Sequence, residues 1–332
     1  MTAPLPKAEL HCHIEGAATP GLVRRLAERY GVDTTGLFDE RGGYHWHNFA
    51  SFLFTYSRVS SVFRGRDDFR DLAFDHFTAI ARDGAIYGEI FIAPDIAAEH
   101  GVSYRDYIDG LNEGIAEAEA ATGVVGRMIL TAIRHLGPAR VKALARNAAS
   151  HPRITAFGIA GDETVYHPSE FAEAFAFARD AGLGLTAHAG ELSGPDSVAA
   201  ALDHLGVRRI GHGVRAVEDP ALVARLAREG VVLELCPGSN VALGLYPDLA
   251  HHPYRQLMEA GVRTTINSDD PPYFHTTLGG EYQRLAEAQG LGDADLLAAT
   301  RTAIEAAFVD EATRARLFEK VDAVAPVTPS AG

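Results

Sequence analysis

Eight short apolar runs rich in β-formers recur along the chain, at residues 7–14, 86–93, 126–131, 154–160, 183–188, 208–212, 231–236 and 262–267. Stretches of helical period separate them. Short buried runs alternating with helices argue for strand–helix units and a parallel sheet. Eight such units in 332 residues predict an α/β protein, a (β/α)8 TIM barrel. An open doubly wound sheet is the competitor, but no G-x-G-x-x-G follows any of the runs. No linker, composition break or low-complexity block divides the chain, so residues 1–332 read as one barrel domain with a frayed tail at about 325–332.

The intervening helices carry start signals. Thr19-Pro20 supplies an N-cap and a proline at the first helical position, and Leu22, Val23, Leu26 and Tyr30 then share a face. Asp219-Pro220 repeats the device before Leu222, Val223 and Leu226. Phe171, Ala174, Phe175 and Ala178 make a further core-facing stripe. Residues 32–66 form an insertion after the first strand–helix unit. Phe49, Phe52, Leu53 and Tyr56 fit one helical face there, either covering the top of the barrel or packing into the core.

Barrel enzymes carry their chemistry at the C-terminal ends of the strands. Here those ends hold His11, His13 and Glu15, then Ala160-Gly161-Asp162-Glu163, His188-Ala189-Gly190-Glu191, Gly211-His212-Gly213, Cys236-Pro237-Gly238-Ser239-Asn240 and Asn267-Ser268-Asp269-Asp270. In the stretch ELHCHIEGA, strand alternation turns His11, His13 and Glu15 to one side and Cys12 to the other. Each piece alone has a plain reading: a surface H-x-H, a tight turn at His212, a helix cap at Asp269-Asp270. A barrel, however, gathers all of them on one face. His45, His47, His251 and His252 sit in polar, loop-like surroundings and receive no role.

Three neutral imidazoles and a carboxylate suit Zn²⁺ at roughly 2.0–2.2 Å, with a position open for water whose pKa the ion lowers to about 7. The candidate ligands are His11, His13, His188 and Asp269. Glu191, His212 and Asp270 remain as catalytic candidates, enough to move the water's proton, protonate a substrate and orient it. Neither Lys7, Lys142 nor Lys320 falls in the fourth strand to bridge two ions, so one zinc per chain is expected.

A formal charge of −14 disfavours nucleic acid and anionic membranes as partners and leaves a small molecule. Two cysteines are too few for a disulfide framework. The start MTAPLPKAEL lacks a signal-peptide pattern, and no run reaches the ~18 apolar residues of a membrane span. A cytoplasmic location is the expectation.

These residues resemble the adenosine/adenine deaminases of the amidohydrolase superfamily. The matching pieces are Lys7-Ala-Glu-Leu-His-Cys-His-Ile-Glu-Gly16, Ala160-Gly-Asp-Glu163, His188-Ala-Gly-Glu191, Arg209-Ile-Gly-His-Gly213 and Asn267-Ser-Asp-Asp-Pro271, in family order from residue 7 to about 275. The H-x-E and P-C-x-x-C signature of cytidine deaminases is absent. The resemblance implies that His11, His13, His188 and Asp269 hold zinc and that His212 positions the attacking water and accepts its proton. It further implies that Glu191 protonates ring N1 of a 6-aminopurine, that Asp270 meets N7, and that the Gly161 backbone meets N3. Glu191 would then need an upward-shifted pKa. Glu15 replaces the Asp that contacts ribose in adenosine deaminases and, like Ser268-Asp-Asp-Pro-Pro-Tyr-Phe274, resembles the adenine type; Ala160-Gly-Asp-Glu163 resembles the nucleoside type. The expected reaction is deamination of adenosine or 2′-deoxyadenosine to the 6-oxopurine and ammonia. Adenine or an N6-substituted aminopurine is the alternative substrate. A cyclic-amide or ester hydrolase on the same barrel and a non-catalytic metal-binding protein are the rivals from other classes.

Overall fold

The computed structural model describes residues 4–324; the expected frayed tail lies outside the described residues. Eight parallel strands run in chain order: β1 Lys7–Glu9, β2 Ala85–Ile92, β3 Val125–Ile133, β4 Ile154–Ala160, β5 Gly184–Ala189, β6 Arg209–His212, β7 Val232–Leu235 and β8 Arg263–Ile266. Each pairs with the next. The ring closes just beyond the ends of β8 and β1, where Cys12 and Asp269 form a parallel bridge. There His13 N–H donates to Asp269 O at 3.0 Å, and Asp269 N–H donates to His11 O at 3.0 Å. Together with the helices that cover it, this is the (β/α)8 barrel that the spacing of the runs predicts.

The longer strands β2 to β5 are mostly apolar because both faces are covered, by helices outside and by the barrel interior within. The interior is unusual in carrying charge. Arg209 is buried between Glu89 (2.7 Å) and Glu234 (2.6 Å), and its guanidinium lies 4.0 Å over the Phe308 ring. A buried charge is tolerated only when paired and hydrogen-bonded, as here.

The caps behave as their sequences predict. Thr19 accepts from Leu22 N–H at the start of helix Pro20–Tyr30, and Asp219 accepts from Ala221 N–H before helix Pro220–Glu229. Leu22, Val23 and Leu26 are buried, as are Phe171, Ala174, Phe175 and Ala178. Tyr30 departs from the expected face: it is exposed, and its hydroxyl donates to Asp68 (3.0 Å). At the last turn of the helix its ring projects past the core. Among the described residues no helix is long and apolar enough to cross a membrane.

The insertion contains helix Phe49–Ser60, started by a reciprocal Asn48–Ser51 capping box. Phe52 stacks on Phe274 and meets Trp46 and Tyr273 edge-on. One face of this helix therefore packs on the β8 loop while lining the cavity described next.

Candidate active site

The regular part of β1 stops at Glu9, and the chain then turns at Ile14 into a short 3₁₀ helix, Glu15–Ala17. His11 and His13 thus reach the top of the barrel, while Glu15 does not share their side as strand alternation predicts. Ile14 has helical φ and ψ (−65°, −42°), which breaks the two-residue period. Glu15 is buried instead behind the cavity wall, where it accepts from Tyr107 Oη at 2.6 Å. Burial raises its pKa to about 7 against hydrogen bonds from Tyr107 and Tyr56. It is not among the residues lining the cavity.

His11 is oriented from below. Its Nδ1 lies 2.9 Å from Glu234 Oε2, and Glu234 also takes hydrogen bonds from Arg209 Nε (2.6 Å) and Thr186 Oγ1 (2.9 Å). With Nδ1 on Glu234, Nε2 is the ring nitrogen left to meet an ion, and that buried nitrogen has no hydrogen-bond partner. Gly211 makes room, since a Cβ there would come within 2.7 Å of the His11 ring. His13 Nε2 and His188 Nε2 lie 3.1 Å apart. Asp269 Oδ1 lies 3.6 Å from His11 Nε2 and 3.5 Å from His13 Nε2. Ligands of a tetrahedral ion with bonds near 2.05 Å sit about 3.3 Å from one another, which these three distances approach; His11, His13 and His188 also cluster as a set, with Asp269 against His11 and His13.

Electrostatics favour positive charge at this point. Burial alone would lower His11, yet the Asp269 and Glu234 carboxylates outweigh it and raise the ring to about 9, so a metal ion binding at Nε2 would displace a proton from it. Burial lowers His13 to about 4 and His188 well below its ordinary range, leaving both neutral as ligands must be. Burial pushes Asp269 upward, but the adjacent His11 ring at 3.6 Å and the neighbouring imidazoles of His212 and His13 hold it well below the usual carboxylate range. Cys236 also lies near His11, His212 and Asp269. Burial and the surrounding carboxylates keep it a thiol, which is a poor ligand.

The other polar candidates surround that point. Glu191 Oε1 is 3.7 Å from His212 Nε2, and Asp269 Oδ2 is 3.9 Å from the same nitrogen. Burial, reinforced by nearby carboxylates, raises Glu191 and Asp270 well above the ordinary carboxylate range, which favours their protonated forms. Asp270 Oδ1 is buried and unpartnered, and a Cβ on Gly16 would stand 1.6 Å from it. His212 and Asp269 both hold positive φ, 59° and 62°. Such backbone costs of order 1–3 kcal/mol per residue and concentrates at functional sites.

Glu191 is held in place by Glu163, a member of the Ala160–Glu163 motif to which the sequence reading gives no separate role. The Glu163 carboxylate accepts from the backbone N–H groups of Gly190, Glu191 (3.0 Å), Leu192 (2.8 Å) and Ser193 (3.0 Å), and from Ser197 Oγ (2.5 Å). Arg134 ties the same corner together, donating to Glu163 O and His188 O, each at 3.1 Å. His252 also differs from its expected polar-loop setting: it is buried, with Nε2 3.1 Å from Asn240 Oδ1. His45, His47 and His251 are exposed.

A cavity of about 270 Å³ joins these groups. His13, His188, Glu191, His212, Asp269 and Asp270 form its floor, and Gly161 lies on its wall. Phe49, Phe52, Leu53, Tyr56, Ile96, Ile133, Leu136, Leu243 and Phe274 make the rest of the wall mostly apolar. No Lys or Arg lines it among the described residues. Floor and wall together suit a flat, mostly apolar ring with polar edges beside a bound cation.

Comparison with known proteins follows this geometry. A family model described as adenosine deaminase matches residues 6–324. The chain is 54% identical over 322 residues to an adenine deaminase of Chelativorans sp. (strain BNC1), covering 96% of this chain and 99% of that protein. It is also 54% identical over 320 residues to an adenine deaminase of Rhizobium meliloti (strain 1021), covering 96% and 98%. The crystal structure of adenine deaminase from Arthrobacter aurescens superposes with a TM-score of 0.90 at 32% identity, covering 96% of this chain and 98% of that one. An amidohydrolase from Burkhoderia ambifaria with bound Zn superposes with a TM-score of 0.86 at 27% identity, covering 96% and 91%.

Proposed function

Because the chain belongs to the adenosine deaminase family, we propose that it is a zinc-dependent hydrolase converting adenine and water to hypoxanthine and ammonia. The observation that carries the chemistry is the convergence of His11, His13, His188 and Asp269, with His13 Nε2–His188 Nε2 at 3.1 Å and Asp269 Oδ1 at 3.6 and 3.5 Å from His11 and His13 Nε2, beside the buried carboxyls of Glu191 and Asp270. The proposed ligands are His11, His13, His188 and Asp269. Zinc, when bound there, supplies a Lewis acid that lowers the pKa of a water to about 7.

The chain's own groups account for the rest. Purine N1 and N7 are acceptors, so groups meeting them must donate. Glu191 holds a proton that it gives to N1, drawing electrons from C6 as the water oxygen adds there. Asp270 donates to N7 without giving up its proton, and the Gly161 backbone meets N3. His212 orients the water on the side of C6 that faces Asp269. The water passes one proton to the Asp269 carboxylate, which hands it to the departing amino group, so the C–N bond breaks with its electron pair leaving as ammonia. The remaining hydroxyl proton goes to Glu191, restoring the acid, as the carbonyl forms. The apolar wall keeps bulk water away, which strengthens each of these contacts.

Adenine replaces adenosine as the favoured substrate. The names of the half-identical relatives support it, and so does Glu15, which is buried with its Oε1 taken by Tyr107. Among the described residues no Lys or Arg lines the cavity, which disfavours phosphorylated substrates. An absorbance assay of the zinc-loaded protein on adenine, adenosine and 2′-deoxyadenosine tests this. We expect kcat/KM for adenine to exceed that for adenosine by at least about 100-fold; a ratio at or below one would overturn the assignment.

A further inference from the structure

Behind the cavity wall a buried hydrogen-bond chain ends on His212. Tyr254 N–H donates to His252 Nδ1 at 3.2 Å. His252 Nε2 lies 3.1 Å from Asn240 Oδ1, and Asn240 Nδ2 lies 3.3 Å from His212 Nδ1. All three side chains are buried, and Gln289 Nε2 fixes the loop by donating to His252 O at 2.6 Å.

The direction of every bond follows from the first. A backbone N–H can only donate, so His252 Nδ1 is a bare acceptor. A neutral imidazole then carries its hydrogen on the other nitrogen, and burial, which lowers His252 to about 3, keeps it neutral. His252 Nε2–H therefore needs an acceptor, which fixes the Asn240 amide with its oxygen toward His252 and its NH₂ toward His212. A ring nitrogen that accepts an N–H cannot also carry a hydrogen. His212 Nδ1 is bare, and the hydrogen of His212 sits on Nε2, the nitrogen nearest Glu191 and Asp269.

We infer that Asn240 and His252 are positioning residues that lock His212 in the Nε2–H tautomer, so that it meets the attacking water as a hydrogen-bond donor. This differs from the proton-accepting part that the family resemblance implies, because a neutral ring with hydrogen on Nε2 has no lone pair facing the cavity. The catalytic consequence rests on the deaminase reading; the tautomer does not. Fixing the tautomer through a second residue is the usual way that a histidine's role is set.

The zinc-loaded full chain, labelled with ring-¹⁵N histidine, reports by NMR which nitrogen of each imidazole bears hydrogen. His212 and His252 should both carry it on Nε2. Asn240→Asp keeps the shape but has no N–H to give, so hydrogen should appear on His212 Nδ1. Its kcat on adenine should fall at least about 100-fold with KM within about threefold, toward the ~10⁴ loss that a wrong histidine tautomer causes in a serine-protease triad. His252→Gln retains an N–H for Asn240 and should keep the tautomer and most of kcat, whereas His252→Leu should lose both. That pair gives the same reading if Asn240→Asp does not fold. A wild-type spectrum with His212 hydrogen on Nδ1, or an Asn240→Asp enzyme with unchanged kcat, overturns the inference. The expected tautomer in a protein that deaminates no aminopurine would instead overturn the deaminase reading alone.

Discussion

Glu163→Gln is the most direct test of how the site is held, because one atom changes and five hydrogen bonds respond. The carboxylate gathers four backbone N–H groups of the segment that carries Glu191, together with the Ser197 hydroxyl. A glutamine must place its NH₂ at one of the two oxygen positions. At Oε2 it would face three N–H donors; at Oε1 it would face Gly190 N–H and a hydroxyl that can turn round. The second choice costs less, yet it leaves one buried N–H unsatisfied, at about 1–3 kcal/mol, and removes charge assistance from three bonds, at roughly 0.5–1 kcal/mol each. Some relaxation offsets the total, giving about 3–4 kcal/mol. At about 2.1 cal/mol/K per residue over 332 residues, the unfolding entropy is near 0.7 kcal/mol/K, so Tm should fall by about 4–6 °C. The catalytic effect should be larger in proportion, because a displacement of ~1 Å in a reacting group costs on the order of 100-fold in rate. Calorimetry and steady-state absorbance kinetics on adenine measure the two effects. A Tm within about 1 °C of wild type with kcat unchanged would refute the view that Glu163 positions Glu191.

Glu191→Gln should retain zinc, by elemental analysis, while kcat falls about 10²–10⁴-fold, because an amide cannot pass a proton to the ring; turnover near wild type would remove Glu191 from the acid's part. Gly16→Ala puts a methyl group where Asp270 Oδ1 now lies, 1.6 Å from the new carbon, so Asp270 must move, and kcat/KM should drop by 10-fold or more without loss of metal. Stability should also fall in acid. His76 is buried with Nε2 unpartnered, and burial lowers its pKa from 6.5 to about 4, so its share of stability is intact above about pH 6.5 and is lost as pH falls toward 4. Between pH 7.5 and 5, urea unfolding of His76→Leu should lose roughly 2 kcal/mol less than wild type; equal losses would show that His76 is not the group responsible.

How far the sequence carries is seen best in particular residues. The run 154–160 coincides with β4, Ile154–Ala160, because Arg153 and Gly161 bound an uninterrupted apolar stretch. The run 7–14 overshoots β1 because alternation reports side-chain direction and says nothing about where a neighbour's ladder ends. That same overshoot carried Glu15 to the wrong side. His11, His13, His188, Glu191, His212, Asp269 and Asp270 come together as strand-end residues of a barrel must. Their supporting groups were less legible. Glu163 lies in a motif, but its partners are backbone amides of another loop, invisible to any pattern. Asn240 stands at a strand end without a charge to draw notice, and the polar, loop-like neighbours of His252 give no sign of its burial. A signal for Glu234 was nevertheless present: an acid in the middle of Val-Leu-Glu-Leu, a strand buried on both faces, requires a buried partner. Arg209, opening the adjacent strand, is that partner.

The proposed metal site spans the place where the barrel closes. Among the described residues β8 and β1 form no regular ladder; they meet through the Cys12–Asp269 bridge and the backbone bonds flanking it. His11 and His13 lie on one side of that seam, Asp269 on the other, and His188 stands across the barrel on β5. An ion held by all four ties the first strand to the last and both to the fifth, in a region where Asp269 and His212 keep unfavourable backbone. Unfolding separates these ligands, so the ion binds the folded chain far better. At a free concentration ~1,000 times the dissociation constant, that adds about 4 kcal/mol. With the same entropy of about 0.7 kcal/mol/K for 332 residues, a chelator should lower Tm by about 6 °C, and added zinc should restore it. His13→Ala should start from the lower Tm and show little response to either treatment. If wild-type Tm ignored chelator while activity vanished, the ion would serve chemistry without bracing the seam. If His13→Ala still responded fully, His13 would not be a ligand.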